Sequence, residues 1–215
     1  MNKDVAEKIA LNSMELILTD KKYDENMIKK LSEYISCDIR DKLHIASKEF
    51  EGVVATFVYK ADYKNYVLNI NEELNNPNGF HFQVKYSNTE YQCLSAIFGF
   101  NRNGKNLENP LCKFSDDFKL VEEFIRKTQM KYLEGTGEYK PEVSNKFSQA
   151  IFNDAIEFTK EKFKNFGVGL YLFLQDKKIN SYIYVAWHKN ENSNFLGHNY
   201  EDNHYRSYMA IYGFI

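Results

Sequence analysis

Residues 91–100 read YQCLSAIFGF, and residues 205–215 read YRSYMAIYGFI. Tyr91, Ala96, Ile97, Gly99 and Phe100 recur as Tyr205, Ala210, Ile211, Gly213 and Phe214, each 114 positions on. Both segments have the aromatic and β-branched content of a strand. A match over so long a spacing calls for a repeat to be sought before single elements are assigned.

The repeat extends toward the N-terminus. At a spacing of 116 the register runs without a gap from Val5 to Asn69. Val5, Glu7, Ile9, Met14, Tyr23, Lys30, Ser32, Ile35, Asp38, Lys48, Phe50, Phe57 and Tyr66 each meet the same residue type in the second copy. Chance matching would give roughly a third as many identities. Apolar exchanges such as Leu31/Phe147, Val54/Leu170 and Val67/Ile183 lie between them. One net deletion of two residues then brings the register to 114. The chain therefore reads as two copies, 1–112 and 113–215, joined by the polar segment NRNGKNLENPLCK (101–113) with its Gly and Pro.

Each copy predicts the same order of elements. Val5, Ile9, Met14 and Ile17 have helical spacing over 3–19, with a twin over 116–133 that Ser115 or Asp116 would cap. A second helix follows over 24–48, with Ile28, Leu31, Ile35, Ile39 and Leu43 on one face. Its twin covers 141–164 and opens on Pro141, which suits a first helical position. The period then changes. GVVATFVYK (52–60), NYVLNINEEL (65–74), FHFQVKY (80–86) and the segment ending at Phe100 predict four strands. The second copy offers GVGLYLFLQ (167–175), SYIYVAWHK (181–189), a weak strand within FLGHNYE (195–201) and the closing segment. The expected fold is α+β: two tandem ααββββ modules, each an antiparallel sheet with helices packed on it.

Bulk composition bounds the function. The 215 residues are 43% hydrophobic, enough for a sizeable core. The formal charge of −2 gives no basic footprint, so nucleic acid is not an expected partner. Three cysteines without CxxC spacing suit a reduced intracellular protein. The first twenty residues carry charges throughout and lack the apolar core of a leader, and no apolar run is long enough to span a membrane.

The order ααββββ, a Tyr before the second helix, a Phe leading the first strand and a close on aromatic-Gly-apolar together resemble the Tctex-type dynein light chains. VKYSNTEYQCLSAIFGF (84–100) looks like the family's last hairpin, and KYDENMIKKL (22–31) like its entry into the second helix. The resemblance covers nearly the whole chain. Leu31 and Phe147 stand where the family often has Trp, and Glu51-Gly52 and Gly167-Val168 stand where a Lys-Tyr pair usually follows the leading Phe. The resemblance implies a module with no catalytic activity and no cofactor, in the cytoplasm, on the cytoskeleton or in a cilium. It implies that Asn65–Leu74 and Ser181–Lys189 are exchanged between modules, so that the chain is a monomeric pseudo-dimer. It implies that extended segments of a protein partner, a dynein intermediate chain or another dynein-associated subunit, add along these strands. The physics is β-augmentation, with the backbone supplying affinity and alternate side chains selectivity. Tyr66, Leu68 and Ile70 on one strand, and Tyr182, Tyr184, Ala186 and Trp187 on the other, would meet the partner. The two edges differ in sequence, which predicts two unlike partners or one partner held asymmetrically. Trp187, the only Trp, reads equally as an anchor or as core.

Other readings stand beside this one. The chain could be a stand-alone inhibitor or immunity-type binder of another protein. The segment 188–206 carries His188, His198, Asp202 and His204, and a metal-dependent hydrolase could be drawn from the last three. Their spacing matches no zinc pattern, and a solvated loop is the favoured reading. No metal is expected. His44 and His81 read as surface or core-edge residues, and Cys93 as a small buried hydrophobe.

Overall fold

A computed structural model describes residues 3–48, 50–63, 66–73, 79–101, 118–162, 167–179, 181–187 and 193–214. Among these the elements run α1 (Lys3–Leu18), a 3-10 turn (Glu25–Met27), α2 (Ile28–Ala46), β1 (Phe50–Lys60), β2 (Tyr66–Glu73), β3 (Gly79–Ser87), β4 (Tyr91–Asn101), α3 (Phe118–Leu133), α4 (Pro141–Lys162), β5 (Gly167–Asp176), β6 (Tyr182–Trp187), β7 (Ser193–Glu201) and β8 (Tyr205–Phe214). The fold is α+β, with two antiparallel four-stranded sheets. The caps expected at Ser115 and Asp116, the linker from residue 102 on, Cys112 and His188 lie outside the described residues. Among the described residues no helix is long and apolar enough to cross a membrane.

The chain forms two compact units, and they are not contiguous. One comprises 1–63, 78–105 and 180–189; the other comprises 64–77, 106–179 and 190–215. Among the described residues they differ from the halves 1–112 and 113–215 by the exchange of the second strands. The first unit's sheet has the order β3-β4-β1-β6, and the second unit's the order β2-β5-β8-β7. The repeated closing segments, β4 and β8, are central strands, as their apolar content requires.

In the first unit, Ala6, Ala10, Met14 and Leu18 of α1 and Ile28, Leu31, Ile35, Ile39 and Leu43 of α2 are all buried. They share a core with Val54, Val58, Phe82, Val84, Cys93 and Ile97. The alternate residues of β1, Val53, Ala55, Phe57 and Tyr59, are buried as well, so β1 reads as a continuous apolar run. Thr56 and Ser95, paired across β1 and β4, satisfy one another by a buried hydroxyl bond of 2.7 Å. Gly52 is required by close approach: a Cβ there would collide with the Phe98 carbonyl and the Phe50 ring. In the second unit, Val121, Ile125 and Leu133 of α3 and Ile151, Phe152 and Ala155 of α4 pack with Leu170, Leu172, Leu174, Met209 and Ile211.

Two parts of the sequence alignment are corrected. On the first helix of each copy the gap-free spacing of 116 is wrong by one. Val5 is 46% exposed, whereas Val121 is fully buried. At a spacing of 115 the buried positions coincide: Ala6, Ala10, Ser13, Met14 and Leu18 fall on Val121, Ile125, Thr128, Gln129 and Leu133. The left-handed Asp20 (φ 60°) then falls on Gly135 (φ 74°). An extra residue near Gly137 restores 116 for α2 and α4. The second correction concerns β2 and β6. Val67 pairs with Leu174, but Tyr182 pairs with Val58, the residue equivalent to Leu174. Tyr182 is thus the counterpart of Val67, not of Tyr66. A one-residue slip in a strand moves each side chain to the other face. The weak third strand of the second copy is present as β7, paired with β8 along its length.

Candidate functional site

Among the described residues the strands expected to meet a partner, β2 and β6, each lie at the edge of a sheet and pair on one side. Their named residues do not form one kind of surface. Directly opposed residues of an antiparallel pair share a face. Tyr182, Tyr184 and Ala186 oppose Val58, Thr56 and Val54 and so lie on the helix-covered face. Tyr182 is 37% exposed with the Lys29 ammonium 5.5 Å above its ring, and Ala186 is buried. The Cys37 thiol interacts with Tyr184, and burial raises both above their ordinary pKa values. On β2 it is Val67 and Asn69 that face the helices, opposite Leu174 and Leu172. Tyr66 and Leu68 oppose Gln175 and Phe173 on the other face, where Tyr66 stacks on Phe173 at 5.9 Å. Ile70 opposes Tyr171 and Trp187 opposes Val53; their side chains lie outside the described residues.

Helix α2 ties down β6 by a means the sequence reading missed. Ser32 Oγ shares its one proton between the Tyr182 carbonyl at 2.9 Å and the Ile28 carbonyl of its own helix at 3.0 Å, and Ser36 Oγ donates to the Tyr184 carbonyl at 3.0 Å. Four helical residues rise about 6 Å, and two strand residues about 6.6 Å. Serines at i and i+4 therefore match alternate strand carbonyls. The signal was two serines on the apolar stripe of an otherwise amphipathic helix. On β2 the corresponding tie, Asn69 Nδ2 to Ser148 Oγ at 2.8 Å, runs between side chains.

The His/Asp cluster resolves into a turn and a core contact. Asp202 Oδ1 accepts from the backbone N–H groups of His204 and Tyr205, each at 2.7 Å, and Oδ2 accepts from the Tyr200 hydroxyl at 3.1 Å. Asn88 Oδ1 makes the same two backbone bonds to Glu90 and Tyr91 in the first unit. Asp202 is thus the twin of Asn88, and its role is to shape the β7–β8 turn. Burial, then the bond to Asp202, pushes the Tyr200 hydroxyl up to about 12. His198 lies elsewhere: its Nδ1 meets Gln129 Oε1 at 2.8 Å, while Gln129 Nε2 donates to Ser207 Oγ at 3.0 Å. Since the Gln129 nitrogen donates, its oxygen accepts, and neutral His198 carries its proton on Nδ1. Burial holds His198 below the ordinary imidazole value. Among the described residues no group of three His, Cys, Asp or Glu side chains is placed to hold a metal ion.

Beside this contact, between the end of α3 and the β7–β8 turn, lies a cavity of about 700 Å³ whose lining includes Arg126, Met130, Glu134, His198 and Tyr200. Gly135 and Gly137, both left-handed, close one rim with no neighbour where a Cβ would stand. No family model matches the chain, and no curated protein matches it.

Proposed function

We propose that the chain is a non-catalytic, Tctex-like binding module, a pseudo-dimer in one polypeptide, that holds an extended peptide segment of a protein partner by strand addition. The observation that carries this reading is the strand exchange: β2 and β6, the second strands of the two copies, each form the edge of the other copy's sheet. An edge strand offers a row of backbone donors and acceptors to an incoming chain. The two edges are unequal. Alternate carbonyls of β6 already hold hydrogen bonds from Ser32 and Ser36, whereas α4 reaches β2 through the Asn69 side chain. The partner segment therefore adds to β2, one per chain, with Tyr66, Leu68 and Ile70 selecting its side chains. The resemblance names a dynein intermediate chain as that partner and the cytoskeleton or cilium as the setting.

Affinity purification of the tagged protein from its native cell, read by mass spectrometry, tests the partner. Dynein heavy and intermediate chains among the main co-purifying proteins are expected. One unrelated protein at near-equal amount would instead make the chain a dedicated inhibitor or immunity-type binder. Hydrogen exchange of the complex tests the mode: slowed amides in Tyr66–Glu73 are expected, and protection confined to other elements would overturn strand addition at β2.

A further inference from the structure

The chain contains its own control for the cavity in the second unit. Met14, Val84 and Cys93 lie in the apolar core of the first unit. At the corrected spacings their counterparts are Gln129, His198 and Ser207, the hydrogen-bonded chain described above. An apolar contact has thus become a polar one, and fully buried Gln129 fixes the histidine ring. Next to it, the first unit is stitched shut. Asn88 Nδ2 donates to the Leu18 carbonyl, the Tyr23 N–H donates to Glu90 Oε2, and the Thr19 and Tyr86 hydroxyls meet at 3.4 Å. Among the described residues none of these three bonds has a counterpart in the second unit. Asp202 replaces the donor Asn88, His204 replaces Glu90, Glu134 replaces Thr19, and the cavity stands in their place.

We infer that this cavity is a binding site for a small organic cation carrying a primary ammonium or a guanidinium group. Its volume suits a small molecule, since ligand pockets run from about 300 to 1,000 Å³. The lining mixes donors, Arg126 and the amides of Asn199 and Asn203, with acceptors, among them His198 and Glu134. His198 Nδ1 is held by Gln129, so Nε2, with its lone pair, is the nitrogen left for a ligand donor. Glu134 stands at the C-terminal end of α3, where the helix itself carries partial negative charge. The other acidic side chains are committed: Glu201 to Lys177 and Arg206, and Asp202 to the turn. Arg126, the guanidinium of the lining, reaches Met130 Sδ at 3.5 Å along its own helix; it keeps its charge there, which acts on His198 against that of Glu122.

Titration with agmatine, followed by the His198 imidazole resonances and by calorimetry, tests the assignment. Saturable binding of one agmatine per chain with a shift of the His198 signals is expected, and glutamate or inorganic phosphate should leave those signals in place. Glu134→Gln should weaken agmatine binding about tenfold or more, the weight of one charge-assisted hydrogen bond. The triple variant Gln129→Met, His198→Val, Ser207→Cys installs the first unit's own core and should abolish binding. If that variant does not fold, Glu134→Gln, an exposed change, decides alone. No saturable agmatine binding, displacement of the His198 signals by the anions instead, or wild-type affinity in Glu134→Gln would each overturn the proposal.

Discussion

At the scale of single residues, the two halves use one turn with two different amino acids. Asn88 and Asp202 each accept two backbone N–H bonds with one side-chain oxygen. Asp202→Asn keeps that oxygen, reverses the bond to the Tyr200 hydroxyl because Nδ2 donates where Oδ2 accepts, and should cost no more than about 1 kcal/mol. Asp202→Ala orphans both N–H groups and should cost about 1–3 kcal/mol. Denaturant midpoints check both, and a large loss in Asp202→Asn would mean that its charge has a further role. His198 carries a pH dependence of definite sign. Burial holds its folded pKa below the ordinary imidazole value, so the unfolded chain binds the proton more readily. Its contribution to stability is present above the unfolded value and is lost as pH falls through the folded one. His198→Val, which restores the residue used at Val84, should flatten the fall in stability between about pH 7 and pH 5. An unchanged pH slope would show that another group controls it. The sequence displayed His198 and Asp202 but not their functions. Gln129 and Ser207, the residues that orient His198, match core positions only after the spacing is corrected by one. A helix tolerates that ambiguity because Val5/Val121 and Met14/Met130 align just as well by identity.

At the scale of elements, period and turn chemistry made most of the fold readable. The helical stripes, the change to strand period at Phe50 and Gly167, and the start at Pro141 all appear within two or three residues of where they were expected. Strand pairing was less legible. The face that β2 and β6 present depends on loops in which one residue more or less reverses it, and identity across the repeat says nothing about that. The serine ladder is likewise a tertiary feature: Ser32 and Ser36 are unremarkable until a strand lies along them. Their contribution can be measured. Ser36→Ala removes a hydroxyl bond to a β6 carbonyl and should cost about 1 kcal/mol; Ser32→Ala removes a hydroxyl shared between the Tyr182 and Ile28 carbonyls and should cost that or less. The double variant should exchange the Tyr182–Trp187 amides faster while those of β4 stay protected. If both substitutions leave β6 exchange unchanged, the serines do not hold the strand, and the asymmetry proposed between the two edges loses its support.

At the scale of the whole molecule, the exchange of second strands means that neither half of the sequence contains a complete sheet. Residues 1–112 lack β6, the strand that pairs Val53–Val58 from Trp187 to Tyr182. The remainder lacks β2, which covers Val168–Gln175 of β5. A half expressed alone would leave the apolar strand β1 or β5 as an exposed edge, which is a template for association. It can relieve this by accepting its own second strand from a second copy, the two-fold arrangement from which a duplicated chain would descend. For residues 1–112, Ser32 and Ser36 would then face carbonyls of β2 in place of those of β6. Linking the halves raises their effective concentration to about millimolar, which favours the internal exchange over the homodimer. Expressed separately, the halves should therefore appear as dimers or aggregates by light scattering, and mixed after unfolding they should recover a one-to-one complex with the exchange pattern of the intact chain. A folded, monomeric 1–112 with protected β1 amides would show that the exchanged strand is dispensable, and the pseudo-dimer reading would fall with it.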